Sequence, residues 1–261
     1  LAVVAPSSAR PLAAAVAPVP AEVVDVPLRY CGGGFCLEFV VDGKLFRGVL
    51  DTGSPFALVS TCAGNGCSAY CGAWGCASLR FGKPVPPGAT SKSTVFYAAG
   101  RAAVSWRRGA VSLGGSDLGH LTVGVVEDVT STSGNGGGSF FGVLPRAPTG
   151  TGLDVPSFLG QTRFRTLEVD FGLAQERLRL ATALPMQQEP AEGVVPLVDL
   201  MQYGAPLEYF AGEVDSLSFG GAECRNLGRI IAVIDTGTTG LVLPQDLFEM
   251  YVSTRRSQVR R

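Results

Sequence analysis

The sequence predicts an all-β protein built from two halves of similar plan. The 261 residues include 35 glycines and 17 prolines. Between them lie short apolar runs, a spacing that favours strands joined by tight turns. A hydrophobic content of 46% is enough to form a buried core in a chain of this length. One acidic turn occurs twice, as VLDTGSPFALVS at 49–60 and VIDTGTTGLVLP at 233–244, which indicates internal duplication.

The charge and hydropathy pattern argues against two classes of partner. The 21 basic and 22 acidic residues nearly balance, and no basic run precedes the terminal RRSQVRR. A nucleic-acid-binding surface needs such a basic cluster. Every long apolar run is interrupted by proline, glycine or charge, whereas a membrane-spanning helix needs about 18 or more apolar residues. We therefore expect no nucleic-acid partner and no membrane span.

Elements of the first half follow one another as strands and turns. Asp42-Gly43 is a hairpin turn signal between two apolar runs. Strand signals separated by turn residues occur at 36–43, 44–51, 56–60, 93–98, 102–115, 118–128 and 139–147. The segments 155–162 and 243–258 carry helix signals, the second with Pro244 near its first turn.

Three regions are expected along the chain. Residues 1–25 are rich in Ala, Pro and Val without a period, typical of a leader remnant, a pro-segment or a linker, and we place them outside the core. Residues 26–182 form a first lobe, which ends in a strand, turn and strand at 166–180. Residues 183–261 form a partial second lobe, since a polar linker at 184–193 precedes it.

The cysteines are unevenly distributed. Six of the seven lie in the first third of the chain: Cys31, Cys36, Cys62, Cys67, Cys71 and Cys76. Four residues separate the cysteines of each pair 31/36, 62/67 and 71/76. This spacing favours short-loop disulfides and an oxidising compartment, while structural zinc bound by closely spaced cysteines is the alternative. The pairing among the last four stays open, because four cysteines allow three connectivities. The seventh, Cys224, is either a free buried thiol or has its partner elsewhere.

The repeated turn has the composition of an acid-base site. Each copy holds an aspartate, a threonine, a glycine and a further hydroxyl residue: Asp51-Thr52-Gly53-Ser54 and Asp235-Thr236-Gly237-Thr238. The hydroxyl groups are suitable donors for holding carboxylates in plane. If the turns face each other, the carboxyl groups share a proton, because two adjacent carboxylates do not ionise together readily. One acid then serves as the base that activates water while the other donates.

These two motifs, 184 residues apart, resemble the catalytic motifs of pepsin-like aspartic peptidases of family A1, and the resemblance covers about residues 26–261. It implies a bilobal β fold and an endopeptidase with Asp51 and Asp235 as its catalytic pair. It also implies an extended peptide or protein substrate, no cofactor and no metal, and a monomer if the chain is complete. An acidic pH optimum is expected, because the pair needs one proton.

Further segments resemble parts of the same family. FYAAGRAAVSW is similar to the substrate-covering flap hairpin, with Tyr97 as the flap tyrosine and Gly100 in the turn. TCAGNGC resembles the small disulfide loop after the first motif, which implies a pair between Cys62 and Cys67. LEYFAGEVDSLSFGG is similar to the strand pair before the second motif.

Some positions depart from the family pattern. Leu58 stands where many relatives carry a tryptophan that hydrogen-bonds the flap tyrosine, and Pro145 stands where glycine is expected. The chain ends 26 residues after Asp235, whereas relatives continue with strands that complete the second lobe. We therefore expect exposed strand edges and an uncovered apolar face. The sequence is then a fragment or an inactive product, and a partner chain that supplies the strands is a third explanation.

Two other functions, a binding protein and a serine hydrolase, are each supported by few residues of the sequence. A non-catalytic binding protein on the same scaffold is the second hypothesis. A serine hydrolase would need His120, the single histidine, as its base, yet no G-x-S-x-G turn accompanies it. Arg107 and Arg108, on the returning strand of the flap hairpin, are expected to be solvated or to favour acidic substrate positions. The cysteines favour the secretory pathway, the vacuole or the extracellular space, with a plastid as the alternative.

Overall fold

The computed structural model describes residues 22–61, 74–78, 81–86, 89–97, 100–131, 139–146, 154–172, 175–183, 195–205, 207–219, 222–224 and 228–259. These residues are mostly β-sheet with one long α-helix, which confirms the predicted all-β class.

Strands of the first part of the chain, numbered in order, have the following bounds: β1 (Val23–Pro27), β2 (Arg29–Tyr30), β3 (Phe35–Val41), β4 (Lys44–Asp51), β5 (Ala57–Ser60), β6 (Lys83–Pro84), β7 (Lys92–Tyr97), β8 (Gly100–Leu113), β9 (Ser116–Ser131) and β10 (Ser139–Gly142). The later elements are β11 (Thr166–Asp170), β12 (Arg177–Ala181), β13 (Ala211–Val214), β14 (Ser218–Phe219), β15 (Ala222–Glu223), β16 (Ile230–Val233) and helix α1 (Gln245–Val259).

Nine of these strands form one large sheet in the order β2-β3-β4-β10-β5-β9-β8-β6, with β7 also paired to β8. The main core packs against this sheet and contains a chain of aromatic contacts. Phe39 and Phe141 have ring centroids 5.1 Å apart, and Phe141 and Phe158 have centroids 4.5 Å apart. A second, smaller core surrounds the buried Trp106 on β8. The large sheet therefore presents two separate apolar clusters.

Strand β1 begins within residues 1–25, which were expected to lie outside the core. It pairs with β12, from Val23 opposite Ala181 to Pro27 opposite Arg177, in a three-stranded sheet completed by β11. The side chains of Val24 and Val26 are buried. Local pattern does not reveal this strand, because its pairing partner lies about 150 residues away along the chain.

The two predicted helices have different outcomes. Helix α1 confirms the prediction for 243–258. The segment 155–162 contains only a 3-10 turn at Leu159–Gln161, which ends where Thr162 adopts an extended conformation. A second 3-10 turn lies at Leu200–Tyr203.

The second part of the chain has a thin sheet with exposed apolar side chains. Strand β16 pairs with β13, and among the described residues it has no other strand partner. Ile234 is 58% exposed, and Leu241 and Val242 are each 74% exposed. Within the described residues, apolar side chains are therefore exposed on both sides of the second acidic turn.

Candidate active site

Asp51 is the last residue of β4 and is only 7% exposed. Strand β10 runs parallel to β4, with Gly142 opposite Asp51, and antiparallel to β5. Backbone hydrogen bonds continue beyond this pairing. The Val143 N–H donates to the Asp51 carbonyl at 3.0 Å, and the Leu144 N–H donates to the Ser54 carbonyl at 3.0 Å. The loop that carries Asp51 is therefore held at a fixed place between two strands.

The close approach of β10 depends on glycine at position 142. A Cβ atom at Gly142 would lie 2.5 Å from both the Phe56 nitrogen and the Ser54 oxygen. Any larger residue would push the loop away from β10. Pro145, which stands where glycine was expected, lies beyond this contact. Its carbonyl accepts a hydrogen bond from the Ser157 hydroxyl at 2.7 Å.

Asp235 lies two residues after β16. The Ile234 N–H donates to the Phe210 carbonyl at 2.8 Å, which extends the pairing of β13 and β16 to the residue before the acid. The Gly237 N–H donates to Asp235 Oδ1 at 2.9 Å, as the Gly53 N–H does to Asp51 Oδ1. Each carboxylate is therefore oriented by the glycine of its own turn.

The two acidic turns are locked together by their threonines. The Thr52 N–H donates to Thr236 Oγ1 at 3.1 Å, and the Thr236 N–H donates to Thr52 Oγ1 at 2.9 Å. The Thr52 hydroxyl donates to the Ile234 carbonyl at 2.8 Å, and the Thr236 hydroxyl donates to the Leu50 carbonyl at 2.5 Å. Four hydrogen bonds thus join residues more than 180 positions apart with approximate twofold symmetry.

This exchange brings the two carboxyl groups together. The negative charge of Asp235 raises the pKa of Asp51, which shows that the two carboxyl groups are near each other. Each carboxyl also lies against the glycine of the other turn: a Cβ atom at Gly53 would be 2.6 Å from Asp235 Cγ, and one at Gly237 would be 2.5 Å from Asp51 Cγ. Glycine is needed at both positions for the acids to meet.

The electrostatic state of the pair follows from this geometry. Burial raises the pKa of Asp51 to about 7, with further contributions from the negative charge of Asp235 and the hydrogen bond between the two carboxyls. Backbone N–H groups of Gly53 and Ser54 oppose the increase. Asp51 therefore keeps its proton in mildly acidic solution, where it can donate a hydrogen bond.

The neighbouring hydroxyl groups differ from the sequence expectation. Only Thr238 orients an acid through its side chain, with Oγ1 donating to Asp235 Oδ2 at 2.7 Å. Ser54 uses its backbone N–H toward Asp51, while its hydroxyl accepts from the Phe56 N–H at 3.4 Å. The Thr52 and Thr236 hydroxyls bond backbone carbonyls of the opposite turn instead of the carboxylates, because their side chains point across the interface between the turns.

Tyr209 is a site residue that sequence reasoning missed. Burial raises its pKa, and so do the negative charges of Asp235 and Asp51. The β13–β16 register places Ala211 opposite Val233, and the Phe210–Ile234 bond continues it. Tyr209 precedes Phe210 and Asp235 follows Ile234, so both residues lie just beyond this pairing. The strand pair before the second motif was visible in the sequence, but its register was not.

The hairpin of β7 and β8 is tied to the first acidic loop through Trp106. The Trp106 indole N–H donates to Ser93 Oγ on β7 at 2.7 Å. The same ring packs edge-on against Phe56, which follows the acidic turn, with centroids 4.9 Å apart. Tyr97 pairs with Gly100 at the end of this hairpin. The side chain of Tyr97 lies outside the described part of the structure, so its flap role stays a prediction.

One predicted disulfide supports the second turn. Cys31 and Cys36 form a disulfide with Cα atoms 5.9 Å apart, as predicted. Inside the loop that it closes, the Gly33 carbonyl accepts a hydrogen bond from Thr239 Oγ1 at 2.7 Å. Cys76 is also disulfide-bonded and Cys224 is free. The predicted pair Cys62 and Cys67, and Cys71, lie outside the described residues.

Comparisons with known proteins add no family to this geometry. No protein-family model matches the chain, and no curated protein is detectably similar to it.

Within the described ranges, no group of three or more His, Cys, Asp or Glu side chains could hold a metal ion. No helix in this part of the chain is both long and apolar enough to cross a membrane.

Proposed function

We propose that the chain is an aspartic endopeptidase with a pepsin-like bilobal fold, in which Asp51 and Asp235 activate a water molecule. The observation that carries the proposal is the pair of carboxyl groups held together by reciprocal threonine hydrogen bonds. Two carboxyls that share a proton supply an acid and a base at one point. That combination is what hydrolysis of a peptide bond without a covalent intermediate needs.

The two acids have different tasks in this proposal. Asp51 holds the proton, because burial raises its pKa to about 7. Asp235 accepts a proton from water, whose oxygen attacks the scissile carbonyl carbon. Asp51 donates its proton to the carbonyl oxygen, so that no free oxyanion forms. As the resulting diol collapses and its C–N bond breaks, one diol hydroxyl returns a proton to Asp51, and Asp235 passes the proton that it took from water to the leaving amine.

The surroundings of the pair suit an extended peptide. Substrates of this kind bind in strand-like form, with the main chain and alternate side chains contacting different walls. In the proposal, the β7–β8 hairpin covers the substrate through Tyr97, and Trp106 positions the hairpin relative to the Asp51 loop. Closure of such a hairpin excludes water and aligns the scissile bond. The Cys31–Cys36 disulfide supports placement in an oxidising compartment, in agreement with a secretory, vacuolar or extracellular location.

The test is hydrolysis of a broad peptide library at acidic pH. The wild-type chain should cleave internal bonds, and Asp51→Asn should lower kcat/KM by about 10²- to 10⁴-fold. Activity should fall as the pH rises through about 7, where Asp51 loses its proton. A chelator should have no effect, and Asp154→Asn, at an exposed carboxyl, is the matched control. Cleavage that survives Asp51→Asn unchanged would exclude the proposal.

A second candidate is a peptide-binding protein that does not cleave. The exposed apolar side chains around β16 favour it, because they offer apolar contact to a bound peptide. Incubation of the same library with wild-type chain separates the two functions. A binding protein should retain peptides of unchanged length. Asp51→Asn should change neither which peptides are bound nor their length.

A further inference from the structure

The described structure contains an open basic groove that the proposed chemistry does not use. It has a volume of about 640 Å³ and is lined by Lys83, Pro84, Val85, Pro86, Arg108 and His120. This volume is within the range of about 300–1,000 Å³ that is usual for binding pockets. The groove lies on β6, β8 and β9, at the end of the large sheet that β6 forms. We call it the basic groove.

Cationic side chains of the basic groove lie side by side. Lys83 on β6 is directly opposite Arg108 on β8. The Arg108 guanidinium donates to the His120 carbonyl on β9 at 3.0 Å, which draws it toward the third residue of the row. All three side chains are exposed. In the described part of the chain, no carboxylate forms an ion pair with Lys83 or Arg108.

The opposed positions of Lys83 and Arg108 favour the binding of an anion between them. Like charges directly opposite each other on neighbouring strands repel and destabilise the pairing. Glycine allows the strands to come this close: a Cβ atom at Gly82, whose φ is +74°, would lie 3.0 Å from Arg107 Cβ and 3.1 Å from the Arg108 carbonyl oxygen. The strands are thus packed tightly where their charges repel. An anionic ligand between Lys83 and Arg108 would relieve this repulsion.

The shape and position of the basic groove favour a peptide as the anion. Prolines and Val85 provide apolar contact beside the cations. Strands β6 and β7 pair with the same edge of β8, β7 with residues 100–105 and β6 with residues 107–108. A chain that runs along this edge can therefore contact the β7 hairpin and the basic groove in succession. Nucleic acid is less suited, because the net charge of −1 and the lack of a basic run give no extended positive surface.

We propose that the basic groove binds an acidic, extended peptide segment, which is the flank of a protein substrate. The role as a substrate flank rests on the proposed peptidase function, while the binding itself does not. Carboxylate side chains of the segment pair with Lys83 and Arg108, and His120 lies at the end of the row.

Binding is measured by fluorescence anisotropy with fluorescein-labelled hexaglutamate and hexaglutamine, in the Asp51→Asn chain so that no probe is consumed. Hexaglutamate should bind more tightly, and added salt should weaken it because the pairs are exposed. Arg108→Gln and Lys83→Gln should each weaken binding by about 1.5- to 5-fold, as expected for single exposed ion pairs. The double variant should weaken it further.

Arg29→Gln is the matched control, since Arg29 is an exposed arginine on β2, at the opposite end of the same sheet. Equal losses from Arg29→Gln and Arg108→Gln would reduce the effect to general charge and overturn the proposal. Equal binding of hexaglutamine, or of a labelled six-nucleotide thymidine strand, would overturn it as well. Thermal unfolding checks each variant, and Lys83→Gln should be at least as stable as the parent because a repulsion is removed.

The two proposals fail separately. Specific hexaglutamate binding without peptidase activity in the wild-type chain would retain the basic groove and reject the proposed function. Peptidase activity with no hexaglutamate binding would retain the proposed function and reject the role of the basic groove. If both hold, peptides with an acidic flank should show a lower KM than neutral ones at similar kcat, and Arg108→Gln should reduce that difference.

Discussion

Replacing Asp51 with asparagine keeps the shape of the side chain and removes its ionisation. Burial, followed by the charge of Asp235, raises the pKa of Asp51 from 3.8 to about 7. Between these values the folded state binds a proton that the unfolded chain has released. The free energy of unfolding therefore decreases as the pH rises through this window, and the decrease ends above about pH 7. Asp51→Asn should lack this decrease.

The size of the effect follows from the pKa difference. Each pKa unit corresponds to about 1.36 kcal/mol, so the wild type should lose up to about 4 kcal/mol relative to Asp51→Asn between about pH 4 and pH 8. Urea unfolding at unit pH intervals measures both curves. Asp154→Asn, at an exposed position, should follow the wild-type profile. Parallel curves for wild type and Asp51→Asn would refute the argument that a shared proton is buried at this site.

Three further substitutions test the surroundings of the pair. Gly53→Ala places a Cβ atom 2.6 Å from Asp235 Cγ and should lower peptidase kcat by about 10²-fold or more. Gly43→Ala, which has open space at its Cβ but a φ of +75°, should retain kcat while lowering the free energy of unfolding. Thr236→Val removes two hydrogen bonds between the turns and should lower the free energy of unfolding by about 2–4 kcal/mol in urea titrations. Tyr209→Phe should lower kcat/KM by up to about tenfold while the free energy of unfolding changes by about 1 kcal/mol or less, because the phenol is near the acids and its hydroxyl forms no hydrogen bond within the described residues. An unchanged kcat/KM would remove Tyr209 from the site.

Pairing of the two acids could be anticipated because its signal is local and occurs twice. Each turn places an aspartate at the end of an apolar run and a glycine two residues later. Glycine is needed where Gly53 and Gly237 meet the opposite carboxyl, so the same residues that identify the turns also permit their contact. The Cys31–Cys36 disulfide and helix α1 were predictable for a similar reason, since short spacing and capping patterns lie within a few residues of each other.

Contacts between residues that are far apart in the chain could not be predicted from the local sequence pattern. The strand character of Val23 depends on β12, and the position of Tyr209 depends on the register between β13 and β16. Nor does the local pattern tell whether a threonine hydroxyl bonds its neighbouring carboxylate or the opposite turn; Thr52 does the latter.

Residue pattern alone established the strand-rich architecture, the two acidic turns and the local disulfide, because these depend on backbone preferences over short stretches of chain. The tertiary structure decided which hydrogen bonds join the two turns, how far the Asp51 pKa rises, and that Lys83 lies opposite Arg108. These properties depend on burial and on charges contributed by strands far apart in the chain, and such distances are defined only when the sheets have assembled.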